Sequence, residues 1–229
     1  MSREHVVKGK STIYILTFHG LGNPERDLPE GEGNYWLDKS FFEAILDRVK
    51  ERPDVRITFD DSNSSDFTIA LPALSKRRLH AAFFVVSERI DRPGFLTSEQ
   101  VRALAHSGMA IGSHGKHHRR WAWLNPGELY EELNESRAKL ESLLRQNVQE
   151  AACPFGSYNR AVLRGLRAAG YEGVYTSDGG PSQVGEWISA RNTIVRSHTL
   201  HDVQRIIDSK RSGLVAMIRI SKFALKQGR

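Results

Sequence analysis

Two stretches of the sequence carry side chains that could do chemistry. Arg56-Ile57-Thr58-Phe59-Asp60-Asp61 ends a short apolar run in two adjacent carboxylates. Like charges side by side repel, so such a pair at a strand end points to a cation holding at least one of them. A metal ligand beside a free general base would satisfy both. Asp60-Asp61-Ser62-Asn63-Ser64-Ser65 is also good chemistry for a solvated turn. The second stretch decides between the two. Ile111-Gly112-Ser113-His114-Gly115-Lys116-His117-His118 ends another apolar run with imidazoles. Alone, His117-His118-Arg119-Arg120 would suit a solvated basic loop. Yet His114 and His118 stand four apart, a spacing that can bring both rings to one ion in a tight loop. With one carboxylate of the aspartate pair they make two nitrogens and one oxygen, the usual protein share of a catalytic zinc site with an open position. A divalent metal is expected, zinc ahead of cobalt or nickel.

Both stretches must be brought together by the elements that carry them. Thr12–Phe18, Val55–Phe59, Ala81–Val86, Met109–Ser113, Ala151–Phe155, Gly173–Thr176 and Thr193–Arg196 read as short strands. Between them lie helical patterns: Phe41, Phe42, Ile45, Leu46 and Val49 recur at helical spacing, and Thr97-Ser98-Glu99-Gln100 reads as a capping box. Phe67–Leu79 is expected to be helical with a kink or fresh turn at Pro72, and Pro126–Gln146 to be one long amphipathic helix. Alternation of this kind predicts an α/β fold with a parallel sheet, closed as a barrel or wound open. The chemistry-bearing residues fall just past the carboxyl ends of the strands, as in barrels, and no glycine-rich phosphate loop is present. The barrel is the favoured form, as one domain spanning residues 1–229.

The net charge of +6 admits an anionic polymer, a membrane surface or nucleic acid as partner. The basic residues are scattered and form no RNA-binding signature or recognition helix, so nucleic acid is not expected. No apolar run is long enough to span a bilayer. Residues 1–10 lack the apolar region of a secretory signal, and the single Cys153 allows no internal disulfide, so a cytoplasmic location is expected. In the tail, Arg219, Lys222, Lys226 and Arg229 share one helical face opposite Leu214, Met217, Ile218, Ala224 and Leu225. That pattern fits a last helix packed on the barrel, or a peripheral contact with anionic lipid.

Thr58-Phe59-Asp60-Asp61, Ser113-His114-Gly115-Lys116-His117-His118 and Pro154-Phe155-Gly156-Ser157-Tyr158 resemble, in order and spacing, the first three motifs of the NodB-homology polysaccharide deacetylases. The resemblance covers about residues 14–180 and implies a distorted seven-stranded barrel. It also implies Asp61, His114 and His118 as metal ligands, Asp60 as catalytic base, and the Phe155 backbone N–H near the oxyanion. The family's last motif, Leu-x-His at a strand end, supplies the catalytic acid. Leu200-His201-Asp202 has similar letters but opens a helix, whereas Leu16-Thr17-Phe18-His19 has both letters and place. The chain thus resembles the circularly permuted branch that includes exopolysaccharide poly-N-acetylglucosamine deacetylases. His19 is the expected acid, and His198 and His201 are expected at the surface or at a helix cap. One departure stands out. The arginine that orients the base in the family, just before the third-motif proline, is replaced by Ala151-Ala152-Cys153, which leaves Asp60 without that partner.

The expected reaction is metal-dependent removal of N-acetyl groups from a sugar or polysaccharide precursor. Metal polarises the amide and activates water, Asp60 takes its proton, and His19 protonates the departing amine. Gly156, Tyr158, Trp121 and Phe155 are expected to line the sugar site, joined by Tyr35, Trp36 and Trp123 on the same rim. The competing functions are another C–N hydrolase, such as a sugar deformylase or a small-molecule amidase, and a non-catalytic carbohydrate-binding relic.

Overall fold

A computed structural model of the chain describes residues 11–209. The basic C-terminal pattern therefore lies outside the described residues. Parallel strands Thr12–Phe18, Val55–Phe59, Ala82–Val85, Ala110–Ser113, Glu150–Ala152 and Gly173–Thr176 pair in chain order. The seventh position is one stretch that bonds two neighbours in turn. Ile188–Ala190 pairs with Gly173–Thr176, and after Arg191 the chain passes to Asn192–Thr193, paired with Thr12–Phe18. That stretch bridges the two edges of the sheet and makes a distorted (β/α) barrel. It begins earlier than the Thr193–Arg196 strand expected from sequence. Ile188-Ser189-Ala190 is too short and too polar to announce itself by its own pattern.

Register separates the sheet into two faces, because successive side chains of a strand alternate. Phe18, Phe59, Phe83, Ile111, Ala151 and Val174 face outward into the layer packed with helices. Phe42 of helix Lys39–Val49 meets Phe18 and Phe59 edge-on there, while Phe59 stacks on Phe83 at 4.6 Å. The other face looks inward and carries Thr17, Thr58, Phe84, Gly112, Tyr175 and Arg191. Thr17 and Thr58 hydrogen-bond at 3.0 Å, and Phe84 and Tyr175 rings lie 4.9 Å apart. Gly112 leaves room for Phe84; a Cβ there would come 2.5 Å from its ring.

This parity aims the chemistry. His19, Asp60 and His114 each stand two residues beyond an inward-facing Thr17, Thr58 or Gly112, so each continues the inward row where its strand ends. Around this frame the helices follow their local signals. Thr97 forms a full capping box with Gln100. Pro72 is accommodated because a π-turn at Asp66–Ala70 precedes the α-helix Leu71–Lys76. The helical stretch from Pro126 is likewise interrupted by a π-turn at Glu131–Glu135 before Ser136–Leu144. No helix among the described residues is long and apolar enough to cross a membrane.

Candidate active site

At the carboxyl end of the barrel lies a cavity of ≈ 610 Å³, whose walls include His19, Asp60, Asp61, His114, His118 and Phe155. Three of these offer ligand atoms that all lie within 4.8 Å of one another: Asp61, His114 and His118. His118 Nε2 is 2.9 Å and His114 Nε2 3.6 Å from Asp61 Oδ1. Among the described residues that buried oxygen accepts no well-formed hydrogen bond, with Arg89 Nη1 3.4 Å away as its other cationic neighbour. A buried carboxylate oxygen left in this state, beside two imidazole nitrogens, fits a divalent cation in both donor chemistry and number.

The His114 ring is prepared for that role from outside. His114 Nδ1 lies 2.9 Å from the Ala152 carbonyl oxygen. A carbonyl can only accept, so Nδ1 carries the proton and Nε2 turns its lone pair to the centre. Burial, outweighing Asp60 and Asp61, lowers the His114 pKa to about 4 and keeps the ring neutral at neutral pH. On the other flank Arg89 donates to the Asp61 carbonyl at 3.1 Å and contacts His118 Nδ1 at 3.2 Å. Burial pushes the Asp61 carboxyl up, but His118, His19 and His114 together hold it well below its usual range. Asp61, His118 and Phe155 all have left-handed backbones, with φ of 79°, 58° and 57°. Such conformations cost about 1–3 kcal/mol each and gather at functional sites.

Asp60 has a different partner. Both of its oxygens accept from Arg191, Nη1 to Oδ1 and Nη2 to Oδ2, each at 2.7 Å. Burial raises the Asp60 pKa, but Arg191, His114 and His19 outweigh it, and the carboxyl ends below its ordinary value. The sequence-based expectation that Asp60 lacks an orienting arginine is thereby corrected. The arginine arrives on the stretch that bridges the barrel edges instead of the one before Pro154. No local motif marks it, and only the strand pairing of residues 188–193 puts it opposite Asp60.

His19 follows the first strand and lines the same cavity, its ring 5.1 Å from Tyr35 and its Nδ1 buried without a partner. His201 is exposed in the helix Leu200–Ile207, and His198 accepts from Val195 N–H, so both stay in surface and turn roles.

The expected sugar-lining residues divide. Phe155 lines the cavity and is 54% exposed. Gly156 is buried behind it in the turn closed by its N–H to the Cys153 carbonyl. Trp121 and Tyr158 are packing residues and line no part of the cavity. Trp121 is 1% exposed with Nε1 donating to Glu132 at 3.3 Å, and the Tyr158 hydroxyl donates to Asp178 at 2.6 Å. Trp36 is buried too. Tyr35, also expected there, does line the wall, together with Asn34, Arg89, Arg120, Ser177 and Thr193.

Two further residues escaped the sequence reading. Glu132, 1% exposed, accepts from the backbone N–H groups of Lys116 and His117 and from Trp121, and so fixes the loop between the two histidines. Gly115 makes this possible: φ is +82°, and a Cβ would run into the Glu132 carboxylate. Asp66 is 1% exposed, and among the described residues its Oδ1 has no hydrogen-bond partner. Burial, helped by the charges of Asp61 and Asp60, raises its pKa well above the usual range.

A family model described as polysaccharide deacetylase matches residues 47–174. YxkH of Bacillus subtilis (strain 168), named for the same activity, is 30% identical over 185 residues, covering 74% of this chain and 66% of that protein. YheN of the same strain is 29% identical over 121 residues and is covered over 42% of its length, so the chain spans about two fifths to two thirds of these relatives. Among solved structures, the Streptococcus pyogenes deacetylase PplD in complex with acetate superposes with a TM-score of 0.76 at 21% identity, covering 87% of this chain and 100% of that one. IcaB from Ammonifex degensii gives 0.72 at 20% identity, covering 88% and 98%. At such identities the likeness speaks for the fold.

Proposed function

The chain belongs to the polysaccharide deacetylase family, and from that premise we propose that it is a divalent-metal hydrolase releasing acetate from an N-acetylated sugar or glycan. One observation carries the reading. Asp61, His114 and His118 converge to within 4.8 Å, while adjacent Asp60 lies outside that set and accepts two hydrogen bonds from Arg191. The metal, most simply zinc, would polarise the amide carbonyl and acidify a water when bound.

The chain's own groups divide the remaining work. Asp60 takes the proton of the attacking water, and Arg191 keeps it ionised and aimed. The Phe155 N–H, in a turn with φ of 57°, supplies a donor toward the developing oxyanion. His19, on the neighbouring strand end, gives a proton to the amine nitrogen so that it leaves neutral. Because Asp60 has an orienting arginine, the relic alternative loses the observation that motivated it.

The test is acetate release from a panel of N-acetylated and N-formylated sugars, with and without chelator and with zinc, cobalt or nickel restored. Chelator-sensitive acetate release supports the reading. Formate release alone would transfer it to a sugar deformylase.

A further inference from the structure

The row of rings that starts at the candidate metal ligands continues past the cavity's edge. His114 and His118 have centroids 5.0 Å apart, and His118 and Phe155 4.4 Å apart. The guanidinium carbon of Arg120 then lies 4.4 Å from the Phe155 centroid and 5.1 Å from the Trp123 ring. Trp123 is 77% exposed, and Phe155 and Arg120 are exposed as well. Side chains serving only to pack would be covered, as Trp121 is.

Among the described residues, Arg120 is the charge in this row with no countercharge. Its neighbour Arg119 is paired with Glu128 at 2.8 Å, and Arg89 is paired with Asp61 at 3.4 Å. Among the described residues no carboxylate lies within ion-pair distance of Arg120. A guanidinium resting on aromatic rings keeps N–H donors for a planar oxyanion, which it can grip through two parallel bonds. An apolar pyranose face beside it would rest on Phe155 or Trp123.

We propose that this ledge selects an anionic glycan. The sugar being deacetylated, or the sugar joined to it, carries a carboxylate or phosphate that Arg120 holds. This deepens the deacetylase reading above and rests on it. Glu30, an exposed carboxylate in the same cavity lining, repels an anion, so the glycan has one favoured direction across the site. Arg120 thus contributes to substrate choice rather than to bond breaking.

The experiment uses the zinc-supplemented full chain and three matched N-acetylated oligosaccharides: neutral, carboxylate-bearing and phosphate-bearing. Acetate release and equilibrium binding are both measured, at low and high salt. The expected result is a preference of about tenfold or more for a charged sugar in kcat/KM, expressed in KM and shrinking as salt rises. Arg120→Gln is expected to bring the charged-to-neutral ratio near one, and Arg120→Lys to keep part of it. The two charged arms tell which oxyanion is preferred. Equal handling of charged and neutral sugars by the unaltered chain, or a ratio untouched by Arg120→Gln, overturns the proposal. Binding that prefers the charged sugars, with acetate released from none, supports the ledge and counts against the deacetylase reading.

Discussion

Arg191 reaches Asp60 through two parallel hydrogen bonds of 2.7 Å across 131 residues of sequence. The arginine side chain is 0% and the carboxylate 4% exposed, so neither partner has water to fall back on. Deleting one member of such a pair typically costs about 3–5 kcal/mol, and Arg191→Met is expected to lower the unfolding free energy by that order in denaturant titration. Arg191→Lys keeps the charge and loses the fork. It is expected to fold, to turn over more slowly, and to move the acid limb of the kcat/KM profile to higher pH. The direction follows from the pair: Arg191 is a main cause holding the Asp60 carboxyl below its ordinary value, so weakening it lets the proton bind at higher pH. An unmoved acid limb would remove Asp60 from the role of base.

Asp60 and His19 line the same cavity but stand on different strand ends, and neither belongs to the converging set of three. Asp60→Asn and His19→Gln are each expected to lower kcat by about 10²–10⁴-fold, the usual contribution of a positioned acid or base. Bound zinc, measured by atomic absorption after gel filtration, should stay near the unaltered stoichiometry in both. Asp61→Asn is expected to lose the metal instead. An Asp60→Asn chain with full activity would end the assignment of base and ligand within the aspartate pair.

The contrast among these residues explains what a reader of the sequence could see. Asp60-Asp61 and the His114 to His118 spacing are local: both chemistries sit within a few residues of a strand end, and strand ends are marked by where apolar runs stop. Arg191 is not local in that sense. Its strand has only Ile188-Ser189-Ala190 to declare it, and its partner is fixed by barrel closure alone. Trp121 failed in the opposite way. An aromatic after a basic loop looks like a sugar platform, yet a buried carboxylate eleven residues on turns it inward. Surface pattern identifies the rim of the barrel; burial decides which aromatic residues on it meet a ligand.

That carboxylate, Glu132, supports a prediction of its own. It binds two backbone N–H groups at 3.0 and 2.9 Å in the loop that delivers His118. Outer partners of metal ligands commonly tune affinity by about 10–100-fold. Glu132→Gln retains an acceptor and should weaken zinc binding modestly, whereas Glu132→Ala should weaken it by that full range. Competition with a chromophoric chelator reads the affinity directly, without reference to turnover. Unchanged affinity in Glu132→Ala would show that the loop holds its shape by other means.

Asp66 gives a stability prediction whose sign can be worked through. In the folded chain burial, with Asp61 and Asp60 nearby, raises its pKa well above 3.8, while the unfolded chain titrates near that ordinary value. Above pH 3.8 the unfolded state therefore releases a proton that the folded state retains. The folded state binds more protons, so this residue's contribution falls as pH rises from about 4 until the folded pKa is passed. Asp66→Asn cannot ionise and removes that slope. It is expected to melt at a higher temperature than the unaltered chain at pH 7–8, with the gap narrowing as pH approaches 4. Scanning calorimetry across that interval, on chelator-treated samples of both proteins, measures the gap. A gap that widens toward acid would mean that Asp66 is ionised in the folded chain and has a cationic partner there.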